Sequence, residues 1–251
     1  MLEALLEDLA AQAPDQIAVT GDLTQVALEE EFREAAGWLA RVGPPERVSA
    51  IPGNHDAYVR LPASRGIDLW SDYLGSDADA EPYRVDASER FPSVRIRNGL
   101  AFVGVSTARP TGPLSATGRV GSGQLARLAH TLERLRETGL CRVVLIHHPP
   151  LEGVTLRRRS LTDTTAFGDV LRRHGAELVL HGHLHRTHVA TLPGPEGEVP
   201  VVGVPSASCA GPSPARCAAY HLYEIERTGG RYRIRHRARR WDPSARRFAA
   251  G

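Results

Sequence analysis

At 251 residues, with 41% hydrophobic and 24% charged side chains, the chain can close a full-sized core, which excludes the disordered and fibrous classes. No run approaches the roughly 18 apolar residues of a membrane-spanning helix, and the first residues carry acids where a secretion signal would carry an Arg-flanked apolar stretch, so neither is expected. A net charge of +2 names no partner, but all 31 basic side chains are Arg, so any cationic side chain meeting a phosphate is a planar, always-charged guanidinium.

Leu2, Leu5, Leu6 and Leu9 recur at helical spacing and predict an amphipathic helix ending near Ala13-Pro14. Ile17–Thr20 reads as a short buried strand closed by Gly21. A helix follows from Leu28 to Arg41, stopped by Gly43-Pro44-Pro45, and then a strand from Arg47 to Ile51. Strand, helix, strand is the signature of a largely parallel sheet. Pro62 to Pro92 is weakly patterned and reads as short helices and loop. Val94 to Val105 predicts a hairpin turning at Asn98-Gly99, and Thr107 to Gly123 a loop. Gln124–Thr138 is a predicted helix, Arg142–Ile146 a strand, Phe167–His174 a helix capped by Gly175, and Glu177–Leu180 a strand. From about residue 189 the pattern turns to strands: Val189–Leu192, Val199–Val204, Ala218–Ile225 and Arg231–Trp241. The whole reads as one domain over 1–251, two sheets face to face with flanking helices. Cys141, Cys209 and Cys217 form no CxxC pair, which fits reduced thiols in the cytoplasm.

Four segments carry chemistry: Gly21-Asp22, Gly53-Asn54-His55-Asp56, His147-His148-Pro149 and His181-Gly182-His183-Leu184-His185. Each follows a predicted strand, where open α/β sheets place ligands. Carboxylate, amide oxygen and imidazole together suit divalent Mn, Fe, Zn or Co. Gly21 lets the backbone turn and aim Asp22 past the sheet edge. His183 and His185 flank one residue, so an extended chain would point both imidazoles the same way. Taken singly, each segment has a plainer reading: Gly-Asp and GNHD as turns, a histidine as a satisfied core residue. Four such accidents in this order and position are rejected.

Together, GDLT, GNHD, HHPP and GHLH resemble the calcineurin-like metallophosphoesterases from about Asp15 to Val204, on the side of the bacterial enzymes acting on cyclic nucleotides and other small diesters. The resemblance implies a four-layer α/β/β/α sandwich of two mixed sheets. It implies two divalent ions per site, Mn, Fe or Zn. Asp22 then matches the bridging carboxylate, Asn54, His147 and His183 the remaining ligands of the second ion, and His185 a ligand of the first. His55 matches the general acid near the leaving oxygen, with Asp56 orienting its ring. His148 and His181 would support the ligands. The reaction implied is attack of a metal-bound hydroxide on a phosphodiester, cyclic nucleotides included. The alternatives are a phosphomonoesterase or pyrophosphatase of the same fold, or a catalytically impaired metal-binding scaffold.

The scaffold enters because the family's first block, an Asp-x-His closing the first central strand, has no counterpart in this sequence. The helix from Leu2 to Ala13 sits where the family places the helix after that strand. A start upstream of Met1 is the expected explanation, and a true loss of the strand the alternative, since a sheet without it would leave backbone and apolar surface unpaired around Ile17–Val19. The second ion's site is complete on this reading and the first is not. The loops Thr107–Gly123 and Leu151–Thr165 are expected to rim the cleft. Arg157, Arg158 and Arg159 are read as a solvated run. So is the Arg-bearing face of Arg231–Arg239, which has no interleaved aromatic platform for nucleic acid. The partner expected is therefore a small phosphate ester, with neither membrane nor nucleic acid.

Overall fold

The computed structural model describes residues 1–112, 114–209 and 217–251, so the Thr107–Gly123 loop is described apart from Pro113. Helix α1 (Leu2–Gln12) ends where Ala13 enters the left-handed region at φ 46°, its N–H reaching Leu9 and Ala10 carbonyls ahead of Pro14. Strand β1 (Ile17–Val19), helix α2 (Glu29–Val42) and strand β2 (Val48–Ala50) form the predicted crossover, with β1 and β2 parallel and Ile17 opposite Val48. Helix α2 is started by Glu31, whose carboxylate accepts the free amides of Val26 and Leu28. The weakly patterned stretch that follows is a chain of 3₁₀ turns around the one-turn helix α3 (Ser71–Leu74).

Strands β3 (Ser93–Arg97) and β4 (Leu100–Val105) make the predicted hairpin, with Asn98 and Gly99 at φ 48° and 81° as a two-residue turn of this hand requires. Helix α4 (Ser122–Arg136), strand β5 (Cys141–Ile146), helix α5 (Thr164–His174), and strands β6 (Leu178–His181), β7 (His188–Gly194) and β8 (Gly197–Gly203) complete a six-stranded sheet. Its order is β3-β4-β5-β6-β8-β7, parallel from β4 through β8 and antiparallel at both edges. Strands β9 (Ala219–Thr228), β10 (Arg231–Asp242) and β11 (Arg247–Ala250) form an antiparallel sheet of their own.

Burial orders these parts into layers. One face of the six-stranded sheet packs Val103, Val144, Ile146 and Val179 against Leu128 and Leu132 of α4 and Phe167 and Leu171 of α5. The opposite face packs Val143, Leu145, Leu178 and Leu180 against Ile51 and Ala18 and against Tyr223, Ile225 and Ile234. Strands covered on both faces are apolar at successive positions rather than alternating, as the run in β5 shows. Truncating Ile146 or Leu145 to Ala would cost about 2–5 kcal/mol. Behind the second layer, α2 packs Phe32 and Leu39 on Val48 and Ala50, while α1 packs Leu5 against Ala218 and Phe248. This is the expected α/β/β/α sandwich.

Two differences have physical causes. The second layer is two separate sheets, parallel β1-β2 and antiparallel β9-β10-β11, rather than one mixed sheet. Among the described residues β1 pairs only with β2, and Ile17, Ala18 and Val19 are each partly exposed while β2 is buried throughout. Strand β11 was not predicted: it is four residues long and buries only Phe248, too little for a pattern. On β10 the expected solvated face holds for Arg231, Arg233, Arg235 and Arg237, with Tyr232 and Ile234 inward, but not for Arg239, which is largely covered and bonded to Asp8. No helix among the described residues is long and apolar enough to cross a membrane.

Candidate metal centre

The four segments meet. Each leaves the C-terminal end of its strand on the same rim: Asp22 after β1, Asn54 after β2, His147 after β5 and His183 after β6. Two glycines make the approach possible. A Cβ on Gly21, at φ 94°, would lie 2.5 Å from the Gly53 nitrogen, and one on Gly53 would lie 2.2 Å from Asp22 Oδ1. Asp22 itself is left-handed at φ 60°, a conformation that a short acidic side chain tolerates.

Asp22, His147 and His183 each bring a ligand atom within 4.8 Å of the others. Asn54 Oδ1 completes the set, 3.1 Å from His147 Nε2 and 2.9 Å from His183 Nδ1, and Asp22 Oδ2 lies 3.3 Å from His147 Nε2. The outer atoms are all engaged. His147 Nδ1 donates to the Thr20 carbonyl at 2.7 Å, His183 Nε2 to the Arg159 carbonyl at 2.9 Å, and Asn54 Nδ2 to the Tyr58 hydroxyl at 2.6 Å. Carbonyls only accept, so each imidazole spends its proton outward and turns its lone pair inward. Four electron-rich atoms facing one another need a cation between them, and this donor set suits a divalent metal.

The electrostatics agree. Burial alone would raise the Asp22 carboxyl, but the charge and hydrogen bond of His147, with the His55 amide at 3.0 Å, carry it well below the usual carboxylate range. Burial disfavours the His147 imidazolium, yet Asp22 and the Thr20 carbonyl outweigh it and raise its pKa. His183 stays neutral, lowered to about 3 by burial and by His147.

Asp56 does not orient the His55 ring. Its buried carboxylate accepts the amides of Asp22 at 2.9 Å, Thr24 at 2.8 Å and Gly53 at 2.8 Å, plus the Thr24 hydroxyl at 3.0 Å. It fastens the two turns to each other, and burial raises its pKa despite the Gly53 bond. The ring of His55 is held instead by the Gln25 carbonyl, 2.6 Å from Nδ1, and by Tyr58, with centroids 4.8 Å apart, leaving Nε2 as its working nitrogen. The extended-chain argument for His183 and His185 also fails. Both are left-handed, at φ 65° and 52°, because the chain turns sharply with Leu184 N–H on the Gly182 carbonyl at 2.8 Å. His183 therefore joins the cluster and His185 stands outside it, close enough to Asp22 and His55 to feel their charge.

His148 is buried beside the cluster with both nitrogens engaged, Nδ1 by the Thr107 hydroxyl at 2.7 Å and Nε2 by the Ala116 carbonyl at 3.1 Å. Neither nitrogen is left to face the cluster. His181, also fully buried, keeps Nδ1 on the Gly182 carbonyl and is lowered to about 4 by burial. Sequence reasoning missed Thr20, Thr24, Gln25, Tyr58 and Arg159, three of which act through backbone carbonyls that no side-chain pattern reveals. Thr24 and Tyr58 could have been found, since they sit in GDLT and four residues after Asn54.

A sandwich with a cluster of inward-facing donor atoms at the shared rim of its two β layers is the frame of a metal-dependent enzyme. The calcineurin-like phosphoesterase family model matches residues 1–187, and the chain belongs to that family of hydrolases acting on phosphate esters. It is 26% identical over 230 residues to a probable cyclic nucleotide phosphodiesterase of Synechococcus sp., covering 90% of this chain and 78% of that protein. It is 28% identical over 216 residues to a cAMP/cGMP dual specificity phosphodiesterase of Mycobacterium tuberculosis, covering 83% of this chain and 59% of that protein. The fold is similar to that of a dimetal phosphatase from Danio rerio, at a TM-score of 0.58 and 13% identity, over 96% of this chain and 82% of the other.

Proposed function

We propose that the chain is a phosphodiesterase for small diesters, cyclic nucleotides among them, working at the Asp22, Asn54, His147 and His183 cluster in a reducing cytoplasm. The observation carrying this is the inward set of lone pairs, with every outward proton placed on a carbonyl or hydroxyl. A divalent ion held there supplies Lewis-acid charge for the phosphate oxygens and an acidified water. Asp22 and His185 are the residues of this chain that would hold the first ion. His55 Nε2 would give a proton to the leaving alcohol, a role supported by the Gln25 carbonyl occupying the other nitrogen. A cleft of about 410 Å³ beside Asp56, lined by Pro52, Ile67, Arg90 and Phe91, offers room for the organic part of a small ester. The relatives' names favour cyclic nucleotides over other diesters.

A second reading rests on His185 standing outside the cluster: a cation-binding scaffold with one complete site and little turnover. The two separate in one experiment. Purified protein is titrated with Mn²⁺ by calorimetry, then assayed with bis-p-nitrophenyl phosphate, p-nitrophenyl phosphate and cyclic AMP. Mn²⁺ binding with diester hydrolysis abolished in His147→Ala supports the enzyme. Binding without turnover supports the scaffold, monoester preference supports the phosphatase alternative, and no Mn²⁺ binding refutes the site.

A further inference from the structure

The turn Arg157–Arg159 follows the expected pattern of an exposed Arg run, yet its third member occupies a special place. The carbonyl of Arg159 receives the outer proton of His183 at 2.9 Å, so this residue is fixed against the cluster and its neighbours are not. The turn cannot drift from that position. Arg158 accepts the Ala116 amide at 2.8 Å, Ser160 the Gly118 amide at 3.1 Å, and the Gly118 carbonyl the Thr162 amide at 2.9 Å. Buried His148, holding the Ala116 carbonyl, roots this ladder beside His147. The guanidinium of Arg159 has no carboxylate or carbonyl partner among the described residues, unlike those of Arg95, Arg97, Arg142 and Arg239.

We propose that Arg159 is the anion clamp of this site, its guanidinium binding the non-bridging oxygens of the substrate's phosphate alongside the cation cluster. A charge held at the rim by a short backbone tether, exposed and unspent, is what a planar two-pronged donor needs to meet a phosphate. Its carbonyl bond to His183 seats Arg159 directly beside the GHLH turn, next to the cluster. The chain has no Lys to take this role. Arg157 and Arg158 stay solvated.

This inference rests on the cluster being a phosphoester site, and binding rather than turnover tests it. Inorganic phosphate is titrated into Mn²⁺-saturated protein, for the wild type, Arg159→Ala, Arg159→Lys and Arg157→Ala, with Mn²⁺ affinity measured for each. Expected is a loss of about tenfold or more in phosphate affinity for Arg159→Ala, since hydrogen bonds to charged groups are the stronger kind. Arg159→Lys should recover part of it, Arg157→Ala should match the wild type, and Mn²⁺ affinity should not move, because the carbonyl on His183 remains. Unchanged phosphate affinity in Arg159→Ala, or an equal loss in Arg157→Ala, overturns the clamp and leaves the metal site standing. Wild-type protein that binds Mn²⁺ but no phosphate overturns both readings.

Discussion

Strands β5 and β1 both end on the metal cluster, and they are built in opposite ways. All six residues of β5 are buried and the strand is paired along both edges. All three residues of β1 are partly exposed and, among the described residues, the strand is paired along one edge. His147 is thus delivered by a strand whose place is over-determined, and Asp22 by one that its own ladder barely holds. What holds Asp22 is the buried carboxylate of Asp56, which gathers the amides of Asp22, Gly53 and Thr24. The two halves of the site therefore draw their rigidity from different sources, sheet packing in one and a single acceptor in the other.

Amide hydrogen exchange is the direct way to break this comparison. Exposed and singly paired segments open locally at small free energies, while doubly buried strands exchange through global unfolding. With global stability in the ordinary range, the amides of Val144 to Ile146 should be protected at least about 1,000-fold more than those of Ala18 and Val19. Equal protection would mean that β1 is as firmly held as β5, and the contrast would collapse.

Substitution sharpens the same point. In Asp56→Ala three buried or half-buried amides lose their acceptor at once, and an unsatisfied buried donor costs roughly 1–3 kcal/mol. A loss of about 3 kcal/mol or more is expected in urea unfolding, together with weaker Mn²⁺ binding because the Asp22 and Asn54 turns are no longer tied. A variant with unchanged Mn²⁺ affinity would show that the short strands position these ligands unaided.

The same contrast governs what could be read from residues alone. Strands β4, β5 and β6 announce themselves as apolar runs because both faces are covered, and their ends fixed the place of His147 and His183. The helices were legible from leucine spacing and from their Gly and Pro stops. The ligand set was legible because side chains make it. The carbonyls of Thr20 and Arg159 were not, since any residue type supplies a carbonyl and only the fold decides where it points. The left-handed turn at His183 and His185 was hidden for a related reason: alternation argues for one face only in extended chain, and nothing in the letters between Gly182 and Arg186 demands or forbids extension. The role that the resemblance implied for Asp56 did not show where its carboxylate goes: it takes the amides of Asp22, Thr24 and Gly53, while the His55 ring is held by Gln25.

The last and smallest effect concerns the other piece of the divided layer. Helix α1 is pinned to β9 and β10 by Asp8, whose carboxylate takes two bonds from Arg239, at 2.5 and 2.6 Å, and one from the Tyr220 hydroxyl at 2.5 Å. Burial raises this carboxyl, but the Arg239 and Tyr220 bonds prevail and its pKa falls below the ordinary 3.8. The unfolded chain therefore takes up a proton at Asp8 before the folded chain does. Stability from this contact is fully present above 3.8 and is lost as pH falls through the lower folded value. Asp8→Asn should cost about 1–2 kcal/mol at pH 7, and its deficit against the wild type should shrink as unfolding is repeated at progressively lower pH below 3.8. A deficit that is constant across that range would assign the loss to packing rather than charge. In that case α1 is held to its sheet by the apolar cluster of Leu5, Ala218 and Phe248, as the six-stranded half is held by its apolar faces.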